Sequence, residues 1–379
     1  LKYRNSYMTF NLYLTFSTLY YIALFPNKWT IFVNVIRQGC EMKGNSIFKS
    51  DGIVLLNKSR GISSFKAINK LKWIIGSSKV GHAGTLDPIA EGLLIVMINN
   101  ATKFSDNLMK RDKEYFVELE LGYETDTYDT EGEITEKYEG NINISDEKII
   151  EAVNSFAGEI MQVPPMYSAI KINGEKLYEL ARKGIEVERE ARKVKIYSIR
   201  EINVEYKEKC KISFYTEVSS GTYIRSLVRD IGRKLGVYAT MTRLVRTKID
   251  KYSIEESVSL EEIEEKLGKA KETSGENVYK DISNNPEKIK EIIKFKNIEC
   301  IFNYEKISVS EEKYKKLKNG MTVLVGFKKF KEIHTVTENK LYCVYVKNEM
   351  TEQKEFKGIV KVIRKGHDKV YLKREKYFM

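Results

Sequence analysis

The sequence predicts an α+β fold: a mixed, largely antiparallel sheet flanked by helices, followed by a small β-rich C-terminal unit. Three observations carry this. Strand-like runs follow one another with no helical pattern between them, unlike a doubly wound parallel sheet. Tyr115-Phe116-Val117-Glu118-Leu119-Glu120-Leu121 alternates with period two, the mark of a strand buried on one face and solvated on the other. Residues 307–377 hold short β-rich runs separated by turns, a pattern that suits a small barrel or sandwich.

In chain order, Ile53-Val54-Leu55-Leu56 reads as a buried strand, and Ser63 caps a helix that carries Phe65, Ile68, Leu71 and Ile75 on one face. Leu93–Ile98 is a second buried strand, and further strands are expected near Ser168–Ile172, Val194–Tyr197 and Lys211–Val218. Helices are expected near Asp146–Phe156, Glu175–Lys183 and Tyr223–Leu235. Two charged helical segments, residues 261–265 and 288–294, flank turn-rich Ser274–Asn277 and Asn284–Pro286, so this region reads as a linker with helices rather than more core. The expected organisation is therefore 1–41 as an N-terminal extension, 50–255 as the main domain, 256–304 as linker and 305–379 as the β-rich unit.

The N-terminal segment stands apart. Residues 5–27 carry no charge and are long enough to cross a bilayer, although Asn11, Thr15, Ser17 and Thr18 weaken that reading. Met42-Lys43-Gly44-Asn45-Ser46 looks like an ordinary start, so residues 1–41 are read as translated upstream sequence, with a membrane anchor as the alternative. Lys and Arg number 65 against 53 Asp and Glu, a net +12; residues 1–41 hold four basic residues and one acidic, and without them +9 remains. That excess suits a polyanionic partner such as RNA or DNA. Cys40, Cys210, Cys300 and Cys343 lie far apart, with no CxxC or Cys/His pairing, which points to reduced thiols, a cytoplasmic protein and no zinc site.

One stretch concentrates rare residues around a single carboxylate: Val80-Gly81-His82-Ala83-Gly84-Thr85-Leu86-Asp87-Pro88-Ile89-Ala90-Glu91-Gly92-Leu93-Leu94. The other histidines, His334 and His367, lie in the C-terminal unit, and neither HExxH nor a paired carboxylate accompanies His82, so no metal is expected. No GxGxxG or GxxxxGK[ST] opens a helix, so no dinucleotide or P-loop site is expected either. Pro88 pushes Asp87 toward an extended conformation, while Gly81, Gly84 and Gly92 let backbone approach on both sides. Such a loop presents one carboxylate into a cleft as nucleophile or base; a turn whose Asp caps a neighbouring helix is the plainer alternative.

The stretch resembles the catalytic loop of the bacterial TruB-type tRNA pseudouridine synthases, whose pattern reads GHxGxLDPxAxGxL. The resemblance extends in order across residues 52–250. It takes in Gly52–Lys58 with Gly61-Ile62-Ser63-Ser64, Ala101-Thr102-Lys103-Phe104, Lys113-Glu114-Tyr115 and Leu121–Gly132. Further on come Pro164–Lys171, Tyr178–Arg182 and Gly221-Thr222-Tyr223-Ile224-Arg225-Ser226-Leu227. One departure is Ser59, where the family usually has proline after the lysine, which removes a rigid turn residue.

The resemblance implies a pseudouridine synthase fold and conversion of uridine-55 in the T-loop of tRNA, with no cofactor. It makes Asp87 the essential carboxylate, which either attacks covalently or removes a ribose proton to give a glycal-like intermediate. Arg225 corresponds to the arginine that pairs with it, and Tyr115 to the tyrosine that stacks on the target base. Tyr223 and Leu244 correspond to pocket wall, with a core role as the alternative for both. Lys58 and Lys103 are candidates to meet phosphate, and Asp129 is a loop or RNA-contacting residue. His82 corresponds to the histidine that fills the space left when the uridine flips out. Ile307–Tyr314, Leu317–Gly320 and Gly358–Val362 are similar to the PUA-like tail of these enzymes, expected on the acceptor-stem side, with Lys328, Lys329 and Lys331 as phosphate contacts or, as the plainer alternative, a solvated face. The implied partner is the T-arm of tRNA, bound by a monomer with no membrane involved. The competing readings are a non-catalytic tRNA-binding module of the same fold and a related synthase acting on ribosomal RNA.

Overall fold

The computed structural model of the chain describes residues 48–172, 174–274, 286–326, 328, 336–347, 354–365 and 369–376. The readings made for residues 1–41, Lys329, Lys331, His334 and His367 lie outside the described residues.

The main sheet is built from β1 (Gly52–Lys58), β2 (Val80–His82), β3 (Glu91–Ile98), β4 (Lys113–Leu121), β5 (Gly158–Gln162), β6 (Arg192–Tyr206), β7 (Cys210–Val218), β8 (Ala239–Ile249) and β9 (Val258–Ser259). Their order is β9-β1-β3-β8-β4-β7-β6-β5, with β2 on β3. Only β9 on β1 and β8 on β3 pair parallel along this path; the other neighbours are antiparallel. The mixed, largely antiparallel α+β class expected from the sequence is the one observed. In β4 the side chains of Lys113, Tyr115, Val117, Leu119 and Leu121 point inward, following the period-two alternation.

Helix α1 (Ser64–Ile75) begins where Ser63 accepts from the Lys66 amide at 3.3 Å and ends at Gly76, whose φ of 63° closes it in the left-handed region. Its buried face is Ser64, Ala67, Ile68, Leu71 and Ile75. Phe65 is not on it: it is 69% exposed, contrary to the sequence reading. At about 100° per residue the face centres on Ser64, whose hydroxyl is needed inside, and this turns Phe65 outward. Helix α2 (Ile224–Leu235) packs along β8.

Two other expectations are corrected. The strand expected near Ser168–Ile172 is only Lys171–Ile172, paired with Glu175–Lys176, and the helix after it is shortened to Leu177–Arg182. The region 256–304 is not merely a linker. After it leaves β8 it returns β9 and Lys296–Asn297 to the edge of the main sheet beside β1. Its helices α3 (Leu260–Ser274) and α4 (Pro286–Ile292) bury Ile263 and Ile289, so helical charge on the outer face conceals an inner apolar one.

The C-terminal unit comprises β10 (Glu305–Val309), α5 (Glu311–Lys318), β11 (Val323–Gly326), β12 (Leu341–Lys347), β13 (Lys354–Lys365) and β14 (Lys369–Lys376). It forms one five-stranded sheet in the order β10-β12-β13-β14-β11, rather than two packed sheets. Val309, Tyr314, Leu317, Val325, Val344 and Leu372 fill one side. Cys343, Tyr345 and Ile359 from the other join Ile53, Leu55, Leu93, Ile298 and Phe302 in a second cluster. Among the described residues, no helix is long and apolar enough to cross a membrane.

Candidate active site

The loop between β2 and β3 is anchored along its length. Ala83 donates to Ile95 O at 3.0 Å, continuing the β2–β3 pairing. Ser64 at the start of α1 both accepts from Leu86 N (2.8 Å) and donates to Leu86 O (2.9 Å). Ala90 N reaches back to Asp87 O at 3.1 Å, closing a turn around Pro88, and Gly61 N donates to Pro88 O at 2.8 Å. Asp87 therefore stands on a backbone fixed by β1, α1 and β3, with its side chain 38% exposed.

Arg225 meets it from the first turn of α2. Its Nε lies 2.9 Å from Asp87 Oδ2, and its side chain is 6% exposed. The remaining donors are also used: Nη1 to Thr127 O at 2.9 Å and Nη2 to Tyr167 O at 2.8 Å, with Asp129 Oδ2 3.6 Å from Nη1. One guanidinium thus gathers three loops, using a fork that lysine lacks. Gln162 at the end of β5 sets the helix start, accepting from Tyr223 N at 2.8 Å and donating to Tyr223 O at 3.0 Å.

Several expected site residues converge here. Tyr115 is buried on β4, flanked in register by Thr216 of β7 and Arg246 of β8. Leu244 is buried on β8 opposite Val117. Tyr223 caps α2; burial pushes its hydroxyl pKa up, and the charge of Asp87 adds to that rise. His82 ends β2, where burial and then the charge of Arg246 hold it below its ordinary range, so it is neutral at pH 7.

The remaining expected residues are Lys58, Asp129 and Lys103. Lys58 is fully buried and faces no solvent phosphate: its ammonium donates to Ile62 O (2.7 Å), Ser59 O (3.0 Å) and Pro88 O (3.4 Å). It braces the turn under Asp87, and burial lowers its pKa to about 8. Asp129 is 2% exposed. Its carboxylate accepts from Thr127 Oγ1 at 2.7 Å and Glu131 N at 3.0 Å, holding its own loop against Arg225. Burial pushes this carboxyl up, opposed by Thr127 and Arg225. Lys103 is exposed on the short 3₁₀ turn Asn99–Phe104, which follows β3 at the end remote from Asp87.

Sequence reasoning missed Ser64, Gln162 and Arg246. A serine or glutamine bonded to backbone leaves no pattern, because its partners are peptide groups that every residue has. Arg246 had a signal: it is two residues from Leu244 on one strand and so faces the same side.

The model of the TruB family pseudouridylate synthase N-terminal domain matches residues 72–224, and that of the tRNA pseudouridylate synthase B C-terminal domain matches residues 225–293. A tRNA pseudouridine synthase B of Clostridium tetani is 44% identical over 72% of this chain and 86% of its own. That of Fusobacterium nucleatum is 43% identical over 79% of this chain and 93% of its own. That of Aquifex aeolicus is 48% identical over 56% of this chain and 73% of its own. Among solved structures, an H/ACA RNP bound to a substrate RNA containing 2′-deoxyuridine is similar with a TM-score of 0.57 at 21% identity, covering 88% of this chain and 86% of that one. A Cbf5-Nop10-Gar1 complex matches with a TM-score of 0.57 at 23% identity, covering 89% and 87%. These last likenesses speak to fold alone. With two consecutive family domains matched and relatives this similar over most of their length, the chain belongs to the TruB family of pseudouridylate synthases.

Proposed function

We propose that the protein isomerises uridine-55 in the T-loop of tRNA to pseudouridine, acting as a cytoplasmic monomer without a cofactor. The observation that carries the reading is the pair of half-exposed Asp87 and buried Arg225 at 2.9 Å. The reaction breaks the N1–C1′ bond, turns the uracil and forms a C5–C1′ bond; the C5 proton is lost and N1 gains one, so composition does not change. Whether Asp87 acts as nucleophile or takes a ribose proton, it must be ionised and aimed. Arg225 aims it, its Nε 2.9 Å from the carboxylate and its other nitrogens anchored to Thr127 O and Tyr167 O.

A uridine within a folded T-loop has to leave its stack before Asp87 can reach it. Tyr115 stacks on the flipped base and takes part in proton removal at C5, while Leu244 and Tyr223 wall the pocket. His82 enters the vacated space; a neutral imidazole suits a shape-filling task better than an acid–base one. The C-terminal sheet serves as a PUA-like unit on the acceptor-stem side. Support for that comes from Lys313, Lys316 and Lys369, which line one groove of this unit together with Glu312.

The test is purified protein on unmodified tRNA transcript, with pseudouridine mapped by position. Wild type is expected to modify position 55 alone, and Asp87→Asn to leave the transcript unmodified while still binding it. Tight binding by wild type with no pseudouridine formed would falsify the reading in favour of a non-catalytic module.

A further inference from the structure

Asp87 is held by Arg225 from one side, and its loop is held from the other by a second buried arginine to which the scheme above gives no task. Arg246 on β8 is 1% exposed. Its Nε donates to Leu93 O at 2.7 Å and its Nη2 to Gly84 O at 3.2 Å. Those carbonyls flank the loop, one before Asp87 and one after. The backbone of Arg246 presses on the same place: it pairs parallel with Gly92, whose φ is 101° and whose added Cβ would come within 2.5 Å of Arg246 O. A Cβ on Gly84 would stand 3.6 Å from Arg246 Nη1 and from Lys113 Cε, so side chain and backbone both pack against the loop.

Among the described residues no carboxylate lies within ion-pair distance of Arg246. A buried guanidinium held only by neutral carbonyls is costly, and an inward strand position has no need of one. What the guanidinium provides is donors in fixed, divergent directions from one planar group, which a compact ammonium cannot reproduce. We propose that Arg246 is a positioning residue for the pseudouridine reaction: by tying Gly84 and Leu93 to β8 it fixes the span of the Asp87 loop and so the place of the carboxylate. The same strand carries Leu244, and Arg246 is in register with Tyr115, so one strand gauges loop and pocket together.

The inference rests on the synthase reading, and the experiment separates the two. Full-length wild type, Arg246→Met and Arg246→Lys are compared on unmodified tRNA by kcat, KM and thermal melting. Both variants are expected to melt as folded proteins, with kcat down on the order of 10- to 100-fold and KM within about threefold, Lys retaining more activity than Met. An unchanged kcat overturns the proposal, as does a loss carried by KM. Failure of both variants to fold also overturns it, since Arg246 would then be a support of the sheet only. If wild type itself forms no pseudouridine, the synthase reading falls and the proposal with it.

Discussion

The two larger sheets among the described residues place charge in opposite ways. Among the described residues, every buried polar or charged side chain lies between Lys58 and Ser257, including Lys58, Lys113, Asp129, Arg225, Arg229 and Arg246. The C-terminal sheet packs around an apolar cluster with Leu317, Val344 and Leu372 at its centre, and carries Lys316 and Lys369 at a solvent groove. Buried charge costs stability unless satisfied, so a core that accepts eight charged side chains, with Lys58, Asp129, Arg225 and Arg246 among them bonded around the Asp87 loop, is organised for fixed geometry. A sheet with charge outside is organised for contact, whose strength varies with salt.

The contrast is tested hardest at Arg225. Arg225→Met leaves Asp87 without its partner and releases Thr127 O and Tyr167 O, so kcat is expected to fall on the order of 100-fold or more, with melting lowered as well. Kinetics and a thermal melt on the same preparation check this; activity near wild type would mean that the loops hold Asp87 without it.

Lys58 sharpens the comparison through pH. Burial lowers its pKa from 10.5 to about 8, and Lys113 is lowered to about 8 likewise. Between those values the unfolded chain binds protons that the folded one has given up, so these two groups make stability rise with pH from about 8 to 10.5. Lys58→Met is expected to flatten that rise, by on the order of 1 kcal/mol per pH unit, in urea titrations across the window. A slope equal to that of wild type would contradict it.

On the other sheet, Lys316→Ala with Lys369→Ala is expected to weaken tRNA binding about two- to fivefold at low salt and to make the log–log salt dependence shallower by roughly one to two. Their kcat should stay at the wild-type value, and a fall in kcat would join the two regions that this comparison separates. The smallest effect is expected at Phe65. Being 69% exposed, Phe65→Ser should change stability by only about 0.5 kcal/mol, whereas Leu71→Ala on the buried face of α1 should cost roughly 2–5 kcal/mol.

What was legible in the sequence follows from which groups leave a pattern. Asp87 stood out because its loop draws on rare residues, and β4 because Tyr115, Val117 and Leu119 alternate. Arg225 was identified, yet its reach to Thr127 O and Tyr167 O was not, since backbone acceptors are anonymous. Lys58, a candidate phosphate contact from the sequence, is buried; lysine is rarely so, and the three carbonyls around it make its position tolerable. Phe65 was misplaced because the apolar stripe passes over a serine whose hydroxyl is structural. The edge pairing of 258–259 and 296–297 with β1 was hidden for a similar reason: strands of two residues have no periodicity to detect.

The unequal burial of the Asp87–Arg225 pair has one more consequence. Arg225 is sealed within the protein, while Asp87 has more than a third of its side chain in water, which screens its charge when the cleft is empty. On the proposed function, a flipped base laid over Asp87 would displace that water, so the surroundings of the carboxylate are completed by protein on one side and nucleotide on the other. On the proposed function the RNA is thus both reactant and wall of its own reaction chamber, and an enzyme without RNA holds a carboxylate that solvent keeps quiet.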